Sequence, residues 1–200
     1  ITEGLVGSEM CIRDSLYSSP AKAEIFDLDG IDKIIEGEFR KGHFQGVATV
    51  VKRLFEKFSP NYAFFGEKDY QQILVIEKII KNYGLKVKIK SILTVREENG
   101  LAMSSRNILL DKETRYDAKI IYKSLRIAKK MIKTNDIDKI KFFIGELFLV
   151  NKKFDLEYFC IAENSSLKEV KSFNSKLKLR AFICVKAKGG VRLIDNIALF

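Results

Sequence analysis

Residues 62–72 read Tyr62-Ala63-Phe64-Phe65-Gly66-Glu67-Lys68-Asp69-Tyr70-Gln71-Gln72, an apolar run that meets a glycine, a cation and the start of an amphipathic segment. Tyr62 to Phe65 predicts a strand buried on both faces, because four successive apolar residues leave no polar side for solvent. Asp69 is the expected cap of the following helix, in which Ile73, Ile76, Ile79, Ile80 and Tyr83 share a face and Asn82-Tyr83-Gly84 gives the stop. Upstream, Val47, Val50, Val51, Leu54, Phe55 and Phe58 recur at steps of three and four, which predicts a helix over 43–58 ended by Ser59-Pro60. Downstream, Val87 to Val95 predicts a second strand and Asn99-Gly100 a turn. Helix, strand, loop, helix, strand is the order of a parallel α/β sheet.

After Arg106 this alternation stops. Asp111 opens one long helix carrying Ala118, Ile121, Tyr122, Leu125, Ala128 and Ile132, and Asp136 opens another with Ile140, Phe143, Ile144 and Leu147. Three strand-like runs follow, 156–161, 179–185 and 192–197, with Gly189-Gly190 as the turn before the last. Helices followed by an antiparallel sheet predict a small α+β unit over 110–200, joined near Leu109 to Asp111 to an α/β unit over 16–109. Ile1 to Ser15 has no initiating methionine and no periodicity. It is similar to translated sequencing-adapter DNA and is read as a non-native segment outside the fold.

The 200 residues are 46% apolar and 31% charged, a globular mixture in which disorder is not the dominant state. The three cysteines, Cys11, Cys160 and Cys184, are odd in number and lack Cys-x-x-Cys spacing, and His43 is the single histidine. A zinc site or disulfide framework is not expected, no metal ligands are assigned, and a reducing cytoplasm fits best. The most apolar stretch, 142–150, is interrupted by Glu146 and too short to span a bilayer, so no membrane association is expected. The net charge is +10, from 36 lysines and arginines against 26 aspartates and glutamates. That excess raises the alternative of a basic RNA-binding module. Single-strand readers expose stacking rings among basic residues, whereas Phe55, Phe58, Phe143 and Phe148 are expected on helix core faces, so no nucleic-acid partner is assigned.

Two polar clusters follow the two predicted strands. Gly66, Glu67, Lys68 and Asp69 combine close backbone approach, a helix start and a full positive charge, which suits phosphate. Met103, Ser104, Ser105 and Arg106 offer two hydroxyls and a guanidinium that can donate charge-assisted bonds to phosphate oxygens. Each cluster alone also reads as an ordinary solvated loop. Successive strands of one parallel sheet bring both to the same edge, where open α/β sheets bind ligands.

Arg40-Lys41-Gly42-His43-Phe44-Gln45-Gly46-Val47, Phe65 to Gln72, Val95-Arg96-Glu97, Gly100 to Asn107 and Arg192-Leu193-Ile194-Asp195-Asn196 stand in an order and spacing that resembles the pantothenate synthetase (pantoate-beta-alanine ligase) family over about residues 16–200. The resemblance implies a Rossmann-like nucleotidyltransferase domain with a small carboxy-terminal domain in a homodimeric cytoplasmic enzyme. It implies an ATP-dependent ligase that forms pantoyl adenylate from pantoate and ATP, with Mg2+ accompanying the nucleotide, and then joins the acyl group to beta-alanine with release of AMP. Carried over by motif, Gly66, Glu67, Lys68 and Asp69 contact ATP with Lys68 on its phosphates, Val95 lines the adenine side, and Met103, Ser104, Ser105 and Arg106 form the phosphate lid. Gln72 holds pantoate, and Lys68 and Arg106 are the catalytic pair. The family's His-x-Gly-His motif has no counterpart in a chain with one histidine, so the chain is expected to be an amino-terminally truncated fragment with little or no ligase activity of its own. Another adenylate-forming nucleotidyltransferase acting on a different acid is the remaining enzymatic alternative.

Overall fold

A computed structural model describes residues 24–134, 136–174 and 176–200, and the segment Ile1 to Ser15 lies outside them. The chain divides into two compact units, one of Ile1–Ala63 with Leu74–Lys90, the other of Phe64–Ile73 with Ser91–Phe200. The boundary read from the sequence near Leu109 to Asp111 falls inside the second unit. Strands β1 (Tyr62–Gly66) and β2 (Lys88–Ile92) form a two-stranded sheet, joined by helix α2 (Tyr70–Asn82). Lys88 N donates to Asn61 O at 3.0 Å, pairing the two strands at their starts, the parallel arrangement that a helical crossover requires.

In the first unit, helix α1 (His43–Phe58) starts and stops where its apolar spacing predicts. Arg40 Nη1 and His43 Nε2 meet at 2.9 Å at its start, and Ser59, in the left-handed region, donates its N–H to Phe55 O at 2.8 Å at its end. Phe44 and Ala48 pack with Phe26, Leu28, Val75 and Ile79 as this unit's core. Phe58 departs from expectation. It is the last residue of α1 and is 58% exposed, because the apolar stripe runs past the core there.

The second unit holds helices α3 (Lys112–Asp117), α4 (Lys119–Met131) and α5 (Ile137–Leu149), then strands β3 (Phe154–Glu163), β4 (Leu179–Ala187) and β5 (Arg192–Ala198) in the antiparallel order β3-β4-β5. Side chains alternate across a strand, and Leu179, Ala181, Ile183, Val185 and Ala187 all enter one core with Ile121, Leu125, Ile140, Ile144 and Phe148. The single helix expected after Asp111 is two. Asp111 accepts from Thr114 N at 2.9 Å as a cap, but Ile121 N reaches back only three residues to Ala118 O, and that tighter turn interrupts the α ladder. Phe143, expected on the core side of α5, is 43% exposed because Ile140, Ile144 and Phe148 already fill the core stripe. Gly189 and Gly190, with φ of 109° and 88°, make the turn between β4 and β5.

β1 is not buried on both faces. Its exposure alternates and Phe64 stands 68% exposed, because among the described residues β2 is its only partner strand.

Candidate active site

All of the sequence-assigned site residues lie in the second unit. β1 runs into a 3-10 turn, Glu67–Asp69, that continues into α2, so helical winding begins at Glu67 and Asp69 lies inside the first turn instead of capping it. Gly66 is extended, at φ −72° and ψ 133°, a conformation open to any residue. A Cβ there would meet no protein atom within 4 Å, so the side of Gly66 that a side chain would occupy is open space. Gln72 follows half-buried on the first turn of α2.

The second cluster hangs from a narrow reverse loop. Val95 O accepts from Met103 N at 2.9 Å, Leu101 O from Glu97 N at 2.8 Å, and Glu97 O from Gly100 N at 2.8 Å. Gly100 needs its glycine, since its φ of 92° is left-handed and a Cβ would stand 3.0 Å from the Tyr122 ring. Beyond this loop, Ser104 Oγ accepts from Arg106 N at 3.2 Å and opens the short 3-10 helix Ser105–Leu109. Val95, Met103, Ser105 and Arg106 are exposed.

The structure brings Lys68 and Arg106 within electrostatic range of each other. Burial lowers the Lys68 ammonium below the ordinary lysine value against the pull of Asp69 and Asp195, and the Arg106 guanidinium pushes it lower still. Of these influences on Lys68, burial is the largest and the Arg106 charge the smallest. Asp195 sits on the core side of β5. Burial raises its carboxyl, while Arg96, bonded to it at 2.6 and 3.0 Å, and Lys68 oppose the rise. A cleft of about 700 Å3 lies elsewhere in the unit, lined by Glu97, Glu98, Asn99, Lys112, Arg115, Tyr116 and Lys119, and includes none of the assigned residues.

Sequence reasoning assigned no role to Arg96, Arg180, Asp195 or Asn196, of which Arg180 and Asn196 bond the Lys68 loop, Asp195 acts on the Lys68 ammonium and Arg96 bonds Asp195. Arg180 places its guanidinium 3.8 Å from the centre of the Tyr70 ring and reaches Glu67 at 3.5 Å. The available signal was an acid and an amide side by side within the apolar strand Leu193-Ile194-Asp195-Asn196-Ile197. Buried polar groups of that kind require partners.

A family model described as Pantoate-beta-alanine ligase matches residues 11–198. The chain belongs to the pantoate-beta-alanine ligase family. The match begins within the segment read as non-native. Curated relatives include the pantothenate synthetase of Christiangramia forsetii, 43% identical over 93% of this chain and 65% of the relative, and that of Aquifex aeolicus, 52% identical over 62% of this chain and 44% of the relative. The crystal structure of pantothenate synthetase from Thermus thermophilus superposes with a TM-score of 0.84 at 32% identity, covering 94% of this chain and 67% of that one. The ligase from Francisella tularensis, solved in complex with beta-gamma ATP and beta-alanine, gives a TM-score of 0.69 at 28% identity over 98% of this chain and 70% of that one. The α/β nucleotidyltransferase-like fold with its antiparallel carboxy-terminal sheet is thereby the fold of this ligase family. The chain spans 65% of the length of the C. forsetii relative.

Proposed function

We propose that this chain carries the ATP-gripping part of a ligase that condenses pantoate with beta-alanine through a pantoyl-adenylate intermediate, releasing pyrophosphate and AMP. The observation that supports this most is that Lys68 and Arg106, cations on separate loops, stand near enough for the Arg106 charge to act on the Lys68 ammonium. The pantoate carboxylate must approach a polyanion, and pyrophosphate must leave with its charge stabilised. Cations fixed in advance serve both needs, each well-placed donor lowering the barrier by roughly 3 to 4 kcal/mol. Lys68 and Arg106 take the phosphate oxygens in this reading, Ser104 and Ser105 supply hydroxyl donors, and Gly66, Glu67, Asp69, Val95 and Met103 line the nucleotide. Gln72 holds pantoate, its amide donating to the acid without adding negative charge. Mg2+ accompanies ATP as part of the substrate, and the complete enzyme is a homodimer of the cytoplasm.

Calorimetric titration of the 200-residue chain with ATP tests the phosphate site. Lys68→Ala is expected to weaken binding at least tenfold while changing the unfolding free energy by less than about 1 kcal/mol. Arg106→Lys also weakens it, since an ammonium lacks the guanidinium fork. ATP affinity unchanged by both substitutions would overturn the assignment. Turnover by the chain alone is expected to be slow or absent, because His43 is its only histidine and cannot supply a His-x-Gly-His pair. In a chimera completed with the unmatched part of the C. forsetii relative, AMP release should require both pantoate and beta-alanine. AMP release with another acid in place of pantoate would move the reading to a different adenylate-forming enzyme.

A further inference from the structure

We propose that Asp195 and Asn196 form a two-sided clasp on β5 that sets the spacing of the two cation-bearing loops, with Asn196 a positioning residue for Lys68. Neighbouring residues on a strand project from opposite faces of the sheet, so this dipeptide serves both faces at once. On the core face, Asp195 takes Arg96 in a two-pronged pair, and Arg96 also donates to Gly100 O at 3.1 Å and lies 3.6 Å from the centre of the Tyr122 ring. The base of the 95–106 segment is anchored in this way. On the opposite face, Asn196 Nδ2 donates to the carbonyl oxygens of Glu67 at 2.9 Å and Lys68 at 2.8 Å, while its Oδ1 accepts from Arg180 Nη1. The Arg180 donor and the two carbonyl acceptors fix the amide's orientation, since a flipped amide would set oxygen against both carbonyls and an N–H against a guanidinium.

Peptide geometry turns this anchoring into aim. In a trans peptide the N–H points opposite to the carbonyl, so drawing the Glu67 and Lys68 carbonyls toward Asn196 directs the N–H groups of Lys68 and Asp69 away from β5. Two negative carbonyl ends are thus withdrawn, and of the two N–H groups that of Asp69 closes the 3-10 turn while that of Lys68 is left as the outward donor. The choice of asparagine follows, because no other side chain of its size donates twice and accepts once from one planar group.

This inference deepens the ATP-site reading and rests on it only for the nucleotide half of its test. Asn196→Asp preserves size and the acceptor for Arg180 but replaces both donors with an oxygen facing two carbonyls; Asn196→Ala removes the contact altogether. Hydrogen exchange on the 200-residue chain should speed up in residues 66–72 of both variants while β3, β4 and β5 keep their protection. ATP affinity should fall at least tenfold, about 1.4 kcal/mol, and AMP affinity less than threefold. Unchanged exchange in 66–72 would overturn the clasp whatever the nucleotide does. Faster exchange with equal losses for ATP and AMP would overturn the positioning of Lys68. Failure of the unsubstituted chain to bind ATP would defeat the ATP-site reading, and the exchange measurement would still decide whether Asn196 holds the loop.

Discussion

The loop Gly66–Asp69 and the segment Met103–Arg106 carry one cation each but differ in what is fixed before any ligand arrives. The first has two of its carbonyls bonded to a buried asparagine and its lysine drawn out of water. The second is anchored at its base through Arg96, yet Met103, Ser105 and Arg106 are exposed and local turn bonds shape its tip. Ordering a long side chain on binding costs about 0.5 to 1.5 kcal/mol. The Asn196 bonds fix the Lys68 backbone on folding, not its ammonium, and Arg106 Nη1 reaches Arg192 O at 3.5 Å, so each cation bears that cost when an anion binds. One loop is held through its own carbonyls and the other through the base of its segment.

The harshest way to break this contrast is Arg96→Met, which leaves the buried Asp195 carboxylate without its partner. Urea unfolding should show a loss of about 3 kcal/mol, and a loss below about 1 kcal/mol would mean that the pair does not anchor the second segment. A milder test uses pH. Lys68 releases its proton earlier folded than unfolded, so its contribution to stability rises with pH between its lowered folded value and the ordinary lysine value. ATP affinity moves the other way, since only the ammonium binds phosphate, and it should fall with rising pH sooner than an exposed lysine would allow. Lys68→Arg should hold its affinity across that range; an identical decline in both proteins would assign the titration elsewhere. The smallest effect is expected at the exposed Ser105. Ser105→Ala should leave stability within about 0.5 kcal/mol and weaken ATP two- to fivefold, a split readable by pairing unfolding with calorimetry.

Elements with strong local signals were legible. Helix α1 occupies His43–Phe58 because its stripe and the Ser59-Pro60 stop are both local, and β4 and β5 turn at Gly189-Gly190 because the backbone there demands glycine. Burial was less legible, since it depends on what covers a residue. An apolar run marks Phe64 and Ile183 alike, yet Phe64 faces solvent while Ile183, on the central strand of its sheet, lies fully buried in the core with the helices. The cations Lys68 and Arg106 could be named from residue type and loop position. Their holders could not, because the bonds from Asn196 to Glu67 and Lys68 cross 129 and 128 residues and the pair of Asp195 with Arg96 crosses 99. Nothing local in the sequence encodes such partners.

Gly100 ties a small turn to events well beyond it. Its amide closes the reverse loop, its carbonyl accepts from Arg96, and the space where a methyl group would sit belongs to Tyr122, the ring on which Arg96 rests. Replacing it with alanine would therefore register less as a kinked bend than as a guanidinium dislodged from its aromatic seat. Substitutions at Gly100 and at Asp195 thus converge on one guanidinium, that of Arg96, from opposite ends.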